Sequence, residues 1–491
     1  MIGSWAAQEA ASACFNDKRL DRRMALLLSA MGDKPNLSIP AACRGRAEMH
    51  AAYRFFDNDK VTFQSVLAPH VRRSLGRMAE ERVVLLVQDS TEVDLTRPES
   101  VVEGLGRLRG QRRGLLLHVM HAFTPAGTPL GTVWGQYINR PASGPGRLTH
   151  RQDPRRRKRT PIEQKESLRW LSGLKKAREI AGALPGVQCV CVADSEADIY
   201  ECLAEPRSDE GARGLAGRFD WLIRGCYDRA CQGVANLPAG PDPADSIREQ
   251  VLATAVLDRP QVHVRRRQAK IAVDQQARHQ KREGRVAQVE VRAASMVLRP
   301  PRRPDRQLPP MPLQVVLVSE VHPPAGEVPL EWLLLSTLPI DTLDQVRLIV
   351  QYYCVRWNIE VFFRTLKSGC RIERRRFEDL GRVLPALSFY LIVAWRTLWI
   401  CRLSRQYPDA DCEVVFEPSE WKAVWMTTTR RQPPRTTPSL RQIVHLIAQL
   451  GGYVERPNSE PGSQTMWIGL QRMNDLALAW DAFGPKTRGG P

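Results

Sequence analysis

Two aspartates follow short apolar runs in a way that suits metal binding. Asp89 comes directly after VVLLVQ at 83–88, and Asp194 comes directly after VQCVCVA at 187–193. Such runs predict buried strands, and side chains at the carboxyl ends of strands line the functional crevice of α/β sheets. Two carboxylates from adjacent strands could share a divalent cation, and Mg²⁺ suits them because it takes hard oxygen ligands. For either aspartate alone, a role as a turn or helix-cap residue remains open.

Four further side chains are spaced for one face of a long helix. The sequence predicts that this helix has Asp341 as its N-cap and ends at Gly369. The four residues follow one another at separations of three, four and seven positions, which at 100° per residue places them within a sector of roughly 60°. They are Tyr353, Arg356, Glu360 and Lys367. The alternative is a solvent-exposed face on which Arg356 and Glu360 form an i, i+4 ion pair.

Taken together, three carboxylates with neighbouring cations indicate phosphodiester chemistry. The two aspartates and Glu360 would hold two Mg²⁺ ions about 4 Å apart, which would activate a water or a 3′-hydroxyl and stabilise the leaving oxygen. Mn²⁺ is expected to substitute for Mg²⁺. Arg356 and Lys367 would hold phosphate oxygens, and the Tyr353 hydroxyl would donate one hydrogen bond.

The spacing Tyr-x2-Arg-x3-Glu-x6-Lys at 353–367 resembles the signature of DDE transposases of the insertion-sequence-four family. The similarity covers nearly the whole chain. It is carried by AYRF at 52–55, QDST at 88–91, DSEAD at 194–198, PLEWLLL at 329–335, RW-x-IE at 356–360, LSF at 387–389, LGG at 450–452 and Trp467.

This resemblance implies specific roles for the residues that carry it. Asp89, Asp194 and Glu360 would be the catalytic, metal-binding triad on a ribonuclease H-like core. The DNA-binding residues would be Tyr353, Arg356, Lys367, Trp332 and Arg224. Trp332 would stack on a base flipped out of the DNA, whereas without the resemblance it would be taken for a core tryptophan. Near Arg224, Cys226 stands where the family has a lysine.

The resemblance also implies cut-and-paste transposition of an insertion sequence. A first nick frees a 3′-hydroxyl, which forms a hairpin; water reopens the hairpin, and the blunt end is joined to target DNA. The N-terminal helices would bind the terminal inverted repeats, and the C-terminal helices would pair two subunits on the DNA. Two alternatives stay open: a Mg²⁺-dependent nuclease without strand transfer, and a catalytically idle DNA-binding relative that acts as a repressor or inhibitor.

Composition supports a nucleic-acid partner. The chain has 491 residues, with 72 Lys and Arg against 53 Asp and Glu, a formal net charge of +19. Such an excess favours a polyanion. Hydrophobic residues make up 43%, which argues against wholesale disorder. No apolar run reaches the length of a bilayer span and the N-terminus does not resemble a secretory signal, so a cytoplasmic location is expected. The resemblance implies a bacterial, nucleoid-associated protein.

Patterning predicts an α/β protein of three parts. We expect a helical domain at 1–72, an α/β domain at 73–383 with a β-rich insertion at about 228–337, and a helical domain at 384–491. The resemblance implies that the first domain binds the DNA ends, the second is catalytic and the third is a dimerisation domain. Strands are expected at 83–88, 115–123, 128–137, 187–193, 219–224 and 328–337. A strongly apolar helix at 384–404 is expected to be buried in a bundle.

The remaining polar candidates are assigned structural roles. The eleven cysteines are expected to be reduced core thiols, and a zinc site is not expected at Cys189 and Cys191. His118 and His121 are taken as structural, as are Glu196 and Asp198 in the first turn of a helix. Asp94 is assigned to a loop. The basic loop at 140–161 has no assigned role.

Overall fold

A computed structural model shows a mixed α/β protein in which one large sheet is covered by helices. The structure describes residues 4–43, 45–97, 100–108, 110–141, 160–206, 218–232, 246–264, 266, 270–271, 277–279, 282–456 and 459–484. The basic run at 155–159, in the loop expected at 140–161, lies outside these ranges.

Twelve strands occur in the described ranges. They are β1 (Val83–Asp94), β2 (Gly114–Phe123), β3 (Pro129–Ile138), β4 (Gln188–Ala193), β5 (Phe219–Gly225), β6 (Cys231–Gln232), β7 (Gln261–Val264), β8 (Lys270–Ile271), β9 (Ala277–His279), β10 (Arg285–Leu298), β11 (Met311–Glu320) and β12 (Glu331–Ser336).

The α-helices of the described ranges lie mainly before and after these strands. They are α1 (Ser4–Ala10), α2 (Lys18–Asp33), α3 (Ile39–Ala42), α4 (Arg46–Phe56), α5 (Phe63–Ala79), α6 (Leu168–Gly182), α7 (Tyr200–Leu203), α8 (Ile247–Leu252), α9 (Leu343–Val355), α10 (Asn358–Arg364), α11 (Leu380–Gln406), α12 (Pro418–Thr429), α13 (Leu440–Leu450) and α14 (Ser463–Phe483).

The main sheet is mixed and has the order β3-β2-β1-β4-β5-β12-β11-β10-β6, with β7 paired to β10. Strand β1 runs parallel to β4, and β4 runs parallel to β5, whereas the other neighbours are antiparallel. Most of the β-rich insertion therefore continues the sheet from β5 through β12, β11 and β10, while β8 and β9 pair with each other in a two-stranded sheet. Backbone pairing explains this, because an unpaired edge of β5 would leave its N–H and C=O groups without partners.

Both faces of the sheet are buried. In β1, Leu85 and Val87 enter the core shared with the N-terminal helices, while Val84 and Leu86 enter the core beneath α6. A strand covered on both faces has a continuous apolar run, as predicted for 83–88.

Helix α11 is buried and packs against elements from both ends of the chain and against the sheet. By length and composition it is the one helix in the described ranges that could cross a bilayer, but 89% of its most apolar stretch is buried by the rest of the protein. It packs against α2, α5 and β3 and against the C-terminal helices α13 and α14. The expected buried bundle helix is thus confirmed, with bounds wider than predicted.

Three local expectations need correction. Strand β1 does not stop before Asp89 but continues to Asp94, because residues 89–94 pair with β2; Asp94 therefore ends a strand and is not in a loop. The long helix is N-capped by Thr342, whose side chain accepts from the Gln345 N–H, and not by Asp341. That helix is interrupted after Val355, resumes as α10, and ends in a π-helical turn, Thr365–Gly369.

Candidate active site

Backbone pairing brings the two aspartates to the same edge of the sheet. Val87 of β1 lies opposite Val192 of β4, and the parallel pairing ends there. Continuing this register by two residues brings Asp89 level with Asp194. Asp89 is held in place because β1 stays paired with β2 on its other side, where Asp89 lies opposite Val119.

Asp194 also has the cap role that was considered for it. Its side chain accepts the Glu196 N–H at 2.9 Å and so begins a short 3₁₀ turn, Ser195–Ala197. A cap hydrogen bond uses one carboxylate oxygen and leaves the other available. The structural and functional interpretations of Asp194 are therefore compatible.

Arg356 connects the Glu360 carboxylate to that of Asp89. It lies at the interruption between α9 and α10, four residues before Glu360. Its Nη1 is 3.4 Å from Asp89 Oδ2, and its Nη2 donates to Glu360 Oε1 at 3.0 Å. The side chain of Arg356 is 7% exposed and that of Asp89 is 15% exposed, whereas Glu360 is 40% exposed. The i, i+4 ion pair considered from the sequence exists, but it faces a buried aspartate and not solvent.

Burial and neighbouring charges shift the pKa values of the side chains in this cluster. Burial and the nearby Asp194 carboxylate raise the pKa of Asp89 to about 8, and the Arg356 guanidinium opposes that rise. Burial lowers the pKa of Arg356, but Tyr353 and the carboxylates of Asp89 and Glu360 outweigh it and raise this pKa overall. At Asp89, burial and the nearby Asp194 carboxylate thus outweigh the favourable charge of the Arg356 guanidinium.

The donor set fits a hard divalent cation. The three candidate ligands are all carboxylates, and carboxylates brought close together are stabilised by a cation. Within the described residues, however, no three His, Cys, Asp or Glu side chains are arranged so that they could hold a metal ion directly. The cation that contacts both Asp89 and Glu360 in the structure is the Arg356 guanidinium.

Trp332 lies on β12 beside the same edge of the sheet. Its ring is 5.2 Å from the Tyr353 ring in an edge-to-face arrangement. It lines a cavity of about 420 Å³ together with Arg224, Ser195 and Cys226. The cavity therefore lies close to Asp194, since it is lined by the next residue, Ser195. Its lining includes the aromatic ring of Trp332 and the guanidinium of Arg224.

Three family models of transposase domains match successive parts of the chain. Residues 2–61 match the model described as transposase DNA-binding, residues 219–395 match the transposase DDE domain, and residues 392–479 match the transposase Tn5 dimerisation domain. The chain carries transposase domains. The DDE match includes Glu360 and Arg356, while Asp89 and Asp194 lie between the first two matched segments.

Within the DDE match, Tyr353 and Arg224 are neighbours. Tyr353 is buried, and burial raises the pKa of its phenol, while the guanidinium groups of Arg356 and Arg224 oppose that rise. Arg224 also donates to the Glu331 carbonyl at 3.4 Å. Tyr353, Arg356, Glu360 and Arg224 are thus grouped together.

Lys367 lies apart from the other signature residues, in contrast to the single face expected from helical spacing. The π-helical turn changes the direction in which its side chain points. Its ammonium donates to the Glu92 carbonyl on β1 and is 3.2 Å from Glu373. Lys367 therefore lies further along β1 than Asp89.

Arg169 is a site residue that the sequence analysis missed. It is buried on α6, where its Nε donates to Ser90 Oγ at 2.8 Å and its Nη2 contacts Glu196 at 2.5 Å. Ser90 follows Asp89, and Glu196 follows Asp194 by two residues, so Arg169 ties the two aspartate-bearing segments together. The available signal was an arginine next to Trp170 and Leu171 on the apolar side of a predicted helix.

Asp198 was wrongly placed in the first turn of a helix. Helix α7 begins only at Tyr200, and Asp198 is buried. Its carboxylate accepts the N–H groups of Cys226 and Tyr227 and binds Arg229. Asp198 thereby positions the segment that follows β5.

The two histidines have structural partners. His118 contacts Ser90 Oγ at 2.8 Å and Gln88 Oε1 at 3.1 Å, and His121 contacts Thr132 Oγ1 at 3.0 Å. Burial holds the pKa of both well below the ordinary value. Each is therefore a neutral core side chain. The cysteines are free thiols as expected, but not all lie in the core, because Cys14, Cys226 and Cys354 are exposed.

Proposed function

We propose that this protein is a DDE transposase that cuts a DNA element from its flanks and joins it to target DNA. One observation carries the proposal: a buried guanidinium contacts both Asp89 and Glu360, and strand register brings Asp194 level with Asp89, in a chain with transposase domains. Metal-dependent phosphodiester chemistry uses carboxylates of this kind, because they bind the cations that stabilise charge on the reacting oxygens.

Asp89, Asp194 and Glu360 are proposed as the Mg²⁺ ligands on a ribonuclease H-like core formed by β1 to β5. Bound Mg²⁺, for which Mn²⁺ would substitute, would make the attacking oxygen more nucleophilic and stabilise charge on the leaving oxygen. Arg169 would keep the segments of Asp89 and Asp194 aligned through Ser90 and Glu196. The carboxylates would thus be held by contacts to β1, β4 and α6.

The cations around the triad would position the DNA backbone. Arg356 has the planar fork of donors that matches a phosphate, and Lys367 offers a point charge further along β1. The Tyr353 hydroxyl would donate one hydrogen bond to the same backbone. Arg224, which borders the cavity next to Trp332, would hold a neighbouring phosphate.

Domain matches support a DNA-bound dimer in which each end of the element is bound by one subunit. Residues in the DNA-binding match would recognise the terminal inverted repeats, and residues in the dimerisation match would pair two subunits. The net charge of +19 would favour this polyanionic partner, and its work would take place at the bacterial nucleoid.

The decisive experiment supplies the purified chain with DNA that carries the inverted repeats bracketing its gene, with Mg²⁺ and with a supercoiled target. We expect cut ends joined to the target, and no cutting in EDTA. Ends that are cut but never joined would instead identify a nuclease. Specific end binding without cutting would identify an idle relative acting as a repressor or inhibitor.

Trp332→Ala is expected to slow hairpin formation more than the first nick. Stacking of a flipped base on an aromatic ring contributes about 1–3 kcal/mol, so we expect the hairpin step to slow roughly 5- to 150-fold. Gel analysis of pre-nicked ends measures that step alone. Trp332→Phe, which keeps an aromatic face, is the matched control and should recover most of the rate. Equal slowing of both steps in Trp332→Ala would contradict a base-stacking role.

A further inference from the structure

Arg356 bridges two of the three carboxylates proposed as metal ligands. Its guanidinium contacts Asp89 on one side and Glu360 on the other. The rings of Tyr353 and Trp357 lie 5.7 Å and 5.5 Å from the guanidinium carbon. Among the described residues, its Nε is one of the buried nitrogens that lack a hydrogen-bond partner. Arg356 therefore balances charge here without its hydrogen bonds being fully satisfied.

The guanidinium and a metal ion compete for the same carboxylate oxygens. An arginine fork that binds Asp89 and Glu360 neutralises part of their charge and holds them at hydrogen-bonding distances, which exceed metal–oxygen distances. Metal binding thus requires the guanidinium to leave at least one of the two carboxylates.

A DNA phosphate is the natural alternative partner for Arg356. Phosphate accepts two parallel hydrogen bonds from a guanidinium, and it can also satisfy an unpaired Nε–H. Arg356 interacts with Tyr353, whose ring contacts Trp332 and whose hydroxyl interacts with Arg224, and both Trp332 and Arg224 line the cavity. A DNA backbone bound there would bring a phosphate to Arg356, close to the carboxylates of Asp89 and Glu360.

We propose that Arg356 is a placeholder that makes metal binding depend on DNA. Without DNA, its guanidinium keeps the carboxylates paired and the metal affinity low. When a DNA phosphate takes the guanidinium, the carboxylates are released and the metal affinity rises. This coupling rests on the proposed function, and it must be reciprocal, so metal also strengthens DNA binding. The free protein would thereby be protected from cutting DNA indiscriminately.

The test measures Mn²⁺ binding to the full chain without DNA, from the electron paramagnetic resonance signal of the unbound ion. Arg356→Gln is expected to bind Mn²⁺ about tenfold more tightly than the unmodified protein. Lys367→Gln is the matched control, because it removes a nearby cation that contacts Glu92 and Glu373 and not the pair of carboxylates. It should change the affinity less than about twofold. Equal tightening in both variants would overturn the placeholder role, since general electrostatics would then suffice.

A second measurement needs no variant of Arg356. Mn²⁺ affinity of the unmodified protein is compared with and without end DNA, and binding to DNA itself is subtracted with Asp89→Asn. A rise of about tenfold on adding DNA is expected. If the free protein already binds Mn²⁺ as tightly as the complex and cuts DNA, the placeholder role fails alone. If neither state binds Mn²⁺ and no cutting occurs, the proposed function fails as well.

Discussion

Glu360→Gln is expected to abolish DNA cleavage while end binding is retained. The substitution keeps the shape and length of the side chain but removes the negative charge that binds a metal cation. Stabilisation of reacting oxygens by bound metal is worth several kcal/mol, so we expect the nicking rate in Mg²⁺ to fall at least ~10³-fold. Gel shift with terminal-repeat DNA and nicking of the same DNA measure the two properties side by side.

Glu179→Gln is the matched control for this prediction. Glu179 lies exposed on α6 and pairs with Lys176 on the surface, so the same chemical change should leave both binding and nicking unaltered. Nicking by Glu360→Gln at a rate close to that of the unmodified protein would remove Glu360 from the active site. Loss of end binding in that variant would show instead that Glu360 serves the fold.

Arg375→Ala is expected to cause the largest loss of stability, because one buried guanidinium joins two distant segments. Its Nη1 and Nη2 donate to the carbonyls of Pro35, Asn36 and Leu37, after α2, and to that of Cys370, after the π-helical turn. Removal would leave these buried carbonyls without their donor. We expect the free energy of unfolding to fall by at least about 3 kcal/mol, measured by urea denaturation followed through tryptophan fluorescence.

Arg376→Ala provides the comparison, since Arg376 is the next residue and is exposed. It removes the same charge and should change the free energy of unfolding by less than about 0.5 kcal/mol. Similar effects in both variants would show that the contacts of Arg375 are dispensable. A selective effect would mean that the segment matched as DNA-binding is anchored to the end of the helix that carries Glu360.

Much of the sheet could be predicted because apolar runs report local burial. The strands expected at 115–123, 128–137, 187–193 and 219–224 are confirmed to within a residue or two. The second half of β1 was not predictable, since its polar residues resemble a loop until pairing with β2 provides their hydrogen bonds. Asp198 was misplaced for a similar reason: its partners at 226–229 are far along the chain.

The helix predicted to carry Tyr353, Arg356, Glu360 and Lys367 could be predicted from spacing only in part. Ideal periodicity puts four side chains on one face, and the structure keeps Tyr353, Arg356 and Glu360 together. An interruption after Val355 and a π-helical turn then separate Lys367 from them. Departures of this kind depend on packing against β1 and α11, which a helical repeat does not encode.

By itself, the sequence determined which residue types are available: three acids, a signature of cations and a phenol, apolar strands, and a net positive charge that favours DNA. These follow from local pattern and composition. Only the tertiary structure decided that Arg356 stands between Asp89, 267 positions away, and Glu360. Contacts over such separations arise from strand pairing and helix packing, where burial of apolar surface, and not the spacing of the charged residues, selects the neighbours.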